Sequence, residues 1–147
     1  MNKQFPLMTA LTLCAALVAC GGDESLSKKE YLKRGDAICA KGDKEIDREA
    51  KEEFPDAAEG KQPGEKKLTE FARDVVIPNV EDQLEKLRDL PAPEGDEDKV
   101  SEIYDAADDG LQDLKEDPKR LVTEDEPLAE ANKKARDYGF KECGAES

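Results

Sequence analysis

Leu26-Ser27-Lys28-Lys29-Glu30-Tyr31 spells the start of a helix. Ser27 and Glu30 stand at the spacing of a capping box, in which each side chain satisfies the other residue's free amide. Leu26 and Tyr31 flank it as a hydrophobic staple. Downstream, Tyr31, Ile38, Cys39 and Ile46 recur on one helical face, with Gly35 and Gly42 as small contacts. This helix is expected to run to about Glu53. Phe54 to Gly64 holds two prolines and two glycines and reads as a loop.

Three further helices follow from the same periodicity. Leu68, Phe71, Ala72, Val75, Val76, Val80, Leu84 and Leu87 mark the second, over Glu65 to Asp89. Pro78 falls inside that pattern. It should kink the helix or split it near Ile77, because proline lacks the amide and its ring meets the carbonyl four residues back. A cavity at the bend is a further reading. Leu90-Pro91-Ala92-Pro93-Glu94-Gly95 is a stiff turn, after which Asp96 is placed to cap a third helix. Val100, Ile103, Tyr104, Ala107, Leu111 and Leu114 form its stripe, and Pro118 ends it. A fourth helix is expected from Thr123 or Asp125, with Pro127 in its first turn. Leu128, Ala131, Ala135 and Tyr138 face inward, and Gly139 terminates it with Phe140 folding back. Short connections between amphipathic helices imply an all-α, antiparallel four-helix bundle. There is no strand pattern and no internal repeat.

Upstream of this domain, Leu17-Val18-Ala19-Cys20 closes a hydrophobic segment and is followed by Gly21-Gly22. Lys3 supplies a positive start, and Phe5 to Val18 has the length of a signal-peptide core, too short to span a bilayer. The stretch resembles a bacterial lipobox. That resemblance implies cleavage before Cys20 and acylation of its thiol. Residues 1–19 are then a lipoprotein signal peptide, residues 20–25 the lipidated cysteine and linker, and residues 26–147 one helical domain. The expected location is the extracytoplasmic face of the cell membrane. Two or more acyl chains anchor stably where one does not.

The chain holds four cysteines. Cys14 leaves with the leader and Cys20 carries lipid, so Cys39 and Cys143 remain in an oxidising compartment. A disulfide between them is the expectation. Two free thiols are the alternative, and a metal pair is disfavoured because the chain has no histidine and two thiolates do not complete a zinc site.

Composition narrows the function. The formal charge is −14, with 37 acids against 23 bases. That balance argues against nucleic acid as a partner. Without histidine, Ser-His-Asp and Cys-His catalysis are excluded. Ser25-Leu26-Ser27-Lys28 matches a Ser-x-x-Lys spelling but lacks its companion motifs and reads as capping sequence. Asp96-Glu97-Asp98 and Asp108-Asp109-Gly110 do not fit a calcium loop. Glu30/Arg34, Asp47/Lys51 and Asp82/Lys86 are favourable pairs four apart, as expected of solvated faces. No cofactor is implied.

One charge asymmetry stands out. Lys28, Lys29, Lys33 and Arg34 cluster at the start of the first helix, where the dipole disfavours bases. Lys133, Lys134, Arg136 and Lys141 end the last helix, at the same end of a bundle. This basic cluster is expected to face anionic headgroups, with scattered solubility charges as the bland alternative.

Three segments carry a wider likeness: Asp36-Ala37-Ile38-Cys39-Ala40, the run Leu87 to Glu97, and Ala135-Arg136-Asp137-Tyr138-Gly139-Phe140 with Cys143-Gly144. Together they resemble a group of small uncharacterised lipoproteins common in actinobacteria and their relatives. The resemblance implies a cell-surface helical domain with the same cysteine pair. It brings no activity and no functional residues. The expected role is a non-enzymatic interaction or accessory domain, partnered by the membrane through its anchor and by an envelope protein. A binding module for a cationic ligand or divalent metal is the alternative, and a carboxylate-dependent envelope hydrolase a third.

Overall fold

The computed structural model describes residues 25–123 and 126–145, which fold into helices and turns with no strand among them. The leader, Cys14 and Cys20 lie outside the described residues, as does Asp125.

Helix α1 spans Lys28–Glu53. The Ser27 hydroxyl oxygen accepts the Glu30 amide at 3.3 Å, so half of the expected capping box forms. The other half does not. The Glu30 carboxylate turns outward to the Arg34 guanidinium at 2.9 Å, a full charge where an amide offers only a dipole. Leu26 packs on the core around Tyr31, as the staple requires. Ile46, expected on the inner face, is only half-buried and belongs to neither core cluster. Past α1 a 3₁₀ turn, Pro55–Glu59, ends at Gly60 with φ 83°. The Phe54 and Phe71 rings, 5.2 Å apart, close this corner.

Helix α2, Glu65–Phe71, passes through a π-helical turn at Ala72–Val76 into α3, Ile77–Arg88. Of the two outcomes expected of Pro78, a kink or a split near Ile77, the split does not occur: helical backbone continues through a π turn. The wide turn lies just ahead of Pro78, and the Ile77 amide bonds to the Ala72 carbonyl five residues back. This is the physical answer to Pro78. Its ring would collide with the carbonyl four residues back, and widening that turn moves the carbonyl aside. The wide turn also shifts the stripe by one residue. Ala72 and Ile77, five apart, are the buried positions, while Val76 is half-buried.

Helix α4 spans Glu97–Glu116. Its start corrects the expected cap: Asp96 occupies the N-cap position, but its carboxylate makes no capping bond. A 3₁₀ turn, Pro118–Val122, follows. Helix α5, Ala129–Tyr138, begins later than expected. Pro127 lies in the preceding turn, where its carbonyl packs against Gly110 of α4, so close that a Cβ at 110 would collide with it. At the other end Gly139, φ 124°, donates to Arg136 at 3.0 Å and Phe140 donates to Ala135 at 3.1 Å. That is a Schellman terminus, as the glycine implied.

Two apolar clusters form the core. The larger gathers Tyr31, Cys39, Leu87, Val100, Ile103, Ala135, Tyr138, Phe140 and Cys143. The smaller gathers Ile77, Leu84, Leu111 and Leu114. Tyr104 and its neighbours link the two. Gly35 meets Leu87, Gly42 meets Gln83, and Glu45 takes a bond from Asn79, so residue numbers rise along α1 as they fall along α3. Lys115–Glu81 and Asp108–Arg88 relate α4 to α3 in the same opposed order. Glu102–Lys134 and Asp96–Tyr138 do so for α4 and α5.

Candidate functional site

The start of α1 and the C-terminal tail meet at the densest chemistry in the domain. Cys39 and Cys143 form a disulfide across 104 positions of sequence, with Cα atoms 5.2 Å apart. One turn earlier, Asp36 reaches the same tail. Its Oδ1 accepts the amides of Lys141 and Glu142 at 2.9 Å each and of Cys143 at 3.4 Å. Three successive backbone donors converging on one carboxylate make a small anion nest, here filled from within the chain. The carboxylate and the disulfide latch the tail together. No sequence signal announces the nest beyond an acid three residues before Cys39.

Tyrosines organise the same end. The Tyr31 ring packs edge-on to Tyr138, centroids 6.2 Å apart, and tilted against Phe140 at 5.8 Å. The Tyr31 and Tyr104 hydroxyls hydrogen-bond each other, and Tyr104 donates onward to the Leu87 carbonyl at 2.8 Å. Burial pushes both hydroxyls above their usual pKa. Tyr138 donates to Asp96 at 3.1 Å and is also pushed up, by burial and then by that carboxylate. Asp96 is held below the usual carboxylate range, chiefly by Lys99, with Tyr138 and Lys28 contributing. These hydroxyls are donors at any physiological pH, not bases, and Asp96 is a fixed anion.

The expected basic cluster is divided by this network. Lys28 lies 3.9 Å over the Tyr138 ring and 3.7 Å from Asp96. Arg34 pairs with Glu30. Lys29 and Lys33 are exposed and make no ion pair among the described residues, and the same holds for the Lys141 ammonium. The opposite helix ends do meet: Tyr138 and Phe140 pack on Tyr31. Lys133 and Lys134 are taken up by Asp137 and Glu102. Of the pairs expected along helices, Glu30–Arg34 and Asp82–Lys86 form, whereas Asp47–Lys51 does not.

Two open clefts mark the surface of the described residues. One lies beside the π turn, where Phe71 and Val75 are rimmed by Glu49, Glu52, Glu70 and Asp74 with Lys67. Its lining ends at Val75, short of Pro78, so it is an open, acid-rimmed notch and not the cavity expected at the Pro78 bend. The other lies between α1 and α3 over Ile38, Gly42 and Gln83, with the Lys41–Glu45 and Asp82–Lys86 pairs along its edge. Among the described residues no three His, Cys, Asp or Glu side chains are placed to hold a metal ion, and no helix is long and apolar enough to cross a membrane.

Comparison with protein-family models, curated proteins and solved structures finds no match.

Proposed function

We propose that this protein is a lipid-anchored lipoprotein of the extracytoplasmic membrane face. In this reading residues 1–19 are removed, Cys20 carries the lipid, and residues 26–147 form an antiparallel four-helix bundle. The bundle serves as a non-enzymatic interaction or accessory domain for an envelope partner. One observation carries the reading: the disulfide between Cys39 and Cys143 lies downstream of Leu17-Val18-Ala19-Cys20-Gly21-Gly22. Structural disulfides persist in oxidising compartments, which the resemblance of that segment to a lipobox independently implies. The opposed contact order of neighbouring helices supports the bundle topology.

Fractionation of a bacterial host expressing the full chain tests the anchor. The wild-type protein is expected in the membrane pellet and the Cys20→Ser variant outside it. Equal membrane association of the two would overturn the reading. A second reading, a cationic-ligand module, is favoured by the acid-rimmed cleft beside the π turn. Unfolding of the oxidised protein with millimolar spermine or calcium separates the two: an unchanged midpoint removes the ligand reading and leaves the first intact.

A further inference from the structure

Charge is divided unevenly between the two ends of the domain. The end where α1 begins is built by residues 25–40, 86–104 and 130–145, as the packing of Tyr31 on Tyr138 and of Gly35 beside Leu87 and Phe140 shows. Segments 25–40 and 130–145 hold eight bases and five acids, and 86–104 holds three bases and six acids, so this end is balanced. The rest is strongly acidic: residues 41–85 carry eight bases against fourteen acids, and 105–123 three against six.

Within the balanced end the cations that make no ion pair among the described residues map to one side, with the Glu30 carboxylate near two of them. Lys29, Lys33 and Asp36 share one face of α1, at spacings of four and seven. Asp36 holds the Lys141 amide, which brings the tail to that same face. Lys28 and Lys99 are already paired with Asp96, and Arg34 with Glu30. Lys29, Lys33 and Lys141 are what remains open to an outside anion.

Ser25, the first described residue, stands three positions before α1. It stands five positions after Cys20, a reach of at most about 17 Å. We infer that the face carrying Lys29, Lys33 and Lys141 docks on anionic lipid headgroups, with the acidic end of the domain directed outward. The inference rests on the lipid-anchor reading. A tether this short keeps the domain near the surface, where attraction of free lysines and repulsion of the acidic end select the same orientation. Both act within a screening length of about 8 Å at physiological salt.

Site-specific fluorophores at Ala37 and at Gln62, both exposed, report orientation in the acylated full chain on vesicles with a headgroup-level quencher. Phosphatidylcholine vesicles are compared with ones containing a third phosphatidylglycerol. Quenching at Ala37, next to the lysine face, is expected to rise at least twofold on the anionic vesicles and to fall at Gln62. Combined Lys29→Glu, Lys33→Glu and Lys141→Glu, or 1 M salt, should abolish both changes. Equal quenching on both vesicle types, or indifference to the triple variant, overturns the inference. Flotation of the same samples separates the two claims. A chain that fails to float with neutral vesicles contradicts the anchor, and a Cys20→Ser chain held by an N-terminal tag on chelating lipid still tests the docking face.

Discussion

Replacing both Cys39 and Cys143 by serine opens a loop of 104 positions, the largest covalent constraint in the domain. Closing a loop of that length lowers the entropy of the unfolded chain by the equivalent of about 4.7 kcal/mol. That constraint on the unfolded chain is lost entirely when the bond is gone, while the tail's own contacts keep the native state in place. Asp36 still accepts three amides of the tail, and Phe140 is still packed between Tyr31 and Tyr138. The expected loss is therefore about 3–5 kcal/mol, a large share of the roughly 5–15 kcal/mol that holds a domain of this size. At about 2.1 cal/mol/K per residue over some 120 residues, the midpoint should fall by about 12–20 °C. Circular dichroism melting of the unacylated Cys20→Ser chain, with and without the double substitution, measures the shift. Reduction of the parent should reproduce it. A drop under about 4 °C, with the parent verified as oxidised, would refute the reasoning, because the tail would then be held by its noncovalent contacts alone.

Other perturbations probe the packing beneath that latch. Gly35→Ala puts a Cβ into the Phe140 ring and 3.2 Å from Leu87 Cδ2, which should cost about 1–3 kcal/mol despite the better helix propensity of alanine, read by urea unfolding. Tyr104→Phe strips the buried Tyr31 hydroxyl of its partner at a cost of about 1–3 kcal/mol, and adding Tyr31→Phe should cost less than the two single changes summed, as a double-mutant cycle reports. Asp43, exposed on α1, has its pKa raised by partial desolvation, then by Asp47 and Glu142, so its ionisation opposes folding once the pH exceeds its unfolded value. Asp43→Asn should accordingly raise the melting midpoint at pH 7 by a degree or more, and the gain should vanish as the pH falls below the ordinary carboxylate pKa. A midpoint lowered at pH 7 would contradict it.

Where the sequence succeeded and where it failed follows from the range of each interaction. The start of α1, the stripe of α4 and the glycine terminus of α5 were legible because caps and helical periods are local. The cysteine pairing was legible by count, since on the proposed lipoprotein reading lipidation and cleavage leave only two. The π turn was not: Val76 and Ile77 are equally apolar, and only the clash of Pro78 with the preceding turn selects Ile77 for burial. α5 starts only at Ala129, after a turn in which the Pro127 carbonyl lies against Gly110, a contact between residues far apart in sequence that no local pattern spells. Asp96 has the spelling of a cap but serves Lys28, Lys99 and Tyr138, partners that only the tertiary fold supplies. The basic cluster likewise read as four equivalent charges. Folding pairs two of them and leaves Lys29 and Lys33 open.

The joint claim of a lipid at Cys20 and a bond between Cys39 and Cys143 can be weighed in one experiment. Intact-mass measurement of the protein extracted from membranes, alkylated with and without prior reduction, reads both ends of the argument. The account predicts a chain that begins at residue 20, carries the added mass of a diacylglyceryl group with or without a third acyl chain, and takes up alkyl groups on two thiols only after reduction. A chain that retains residues 1–19, an unmodified Cys20, or two thiols alkylated without reductant would contradict it.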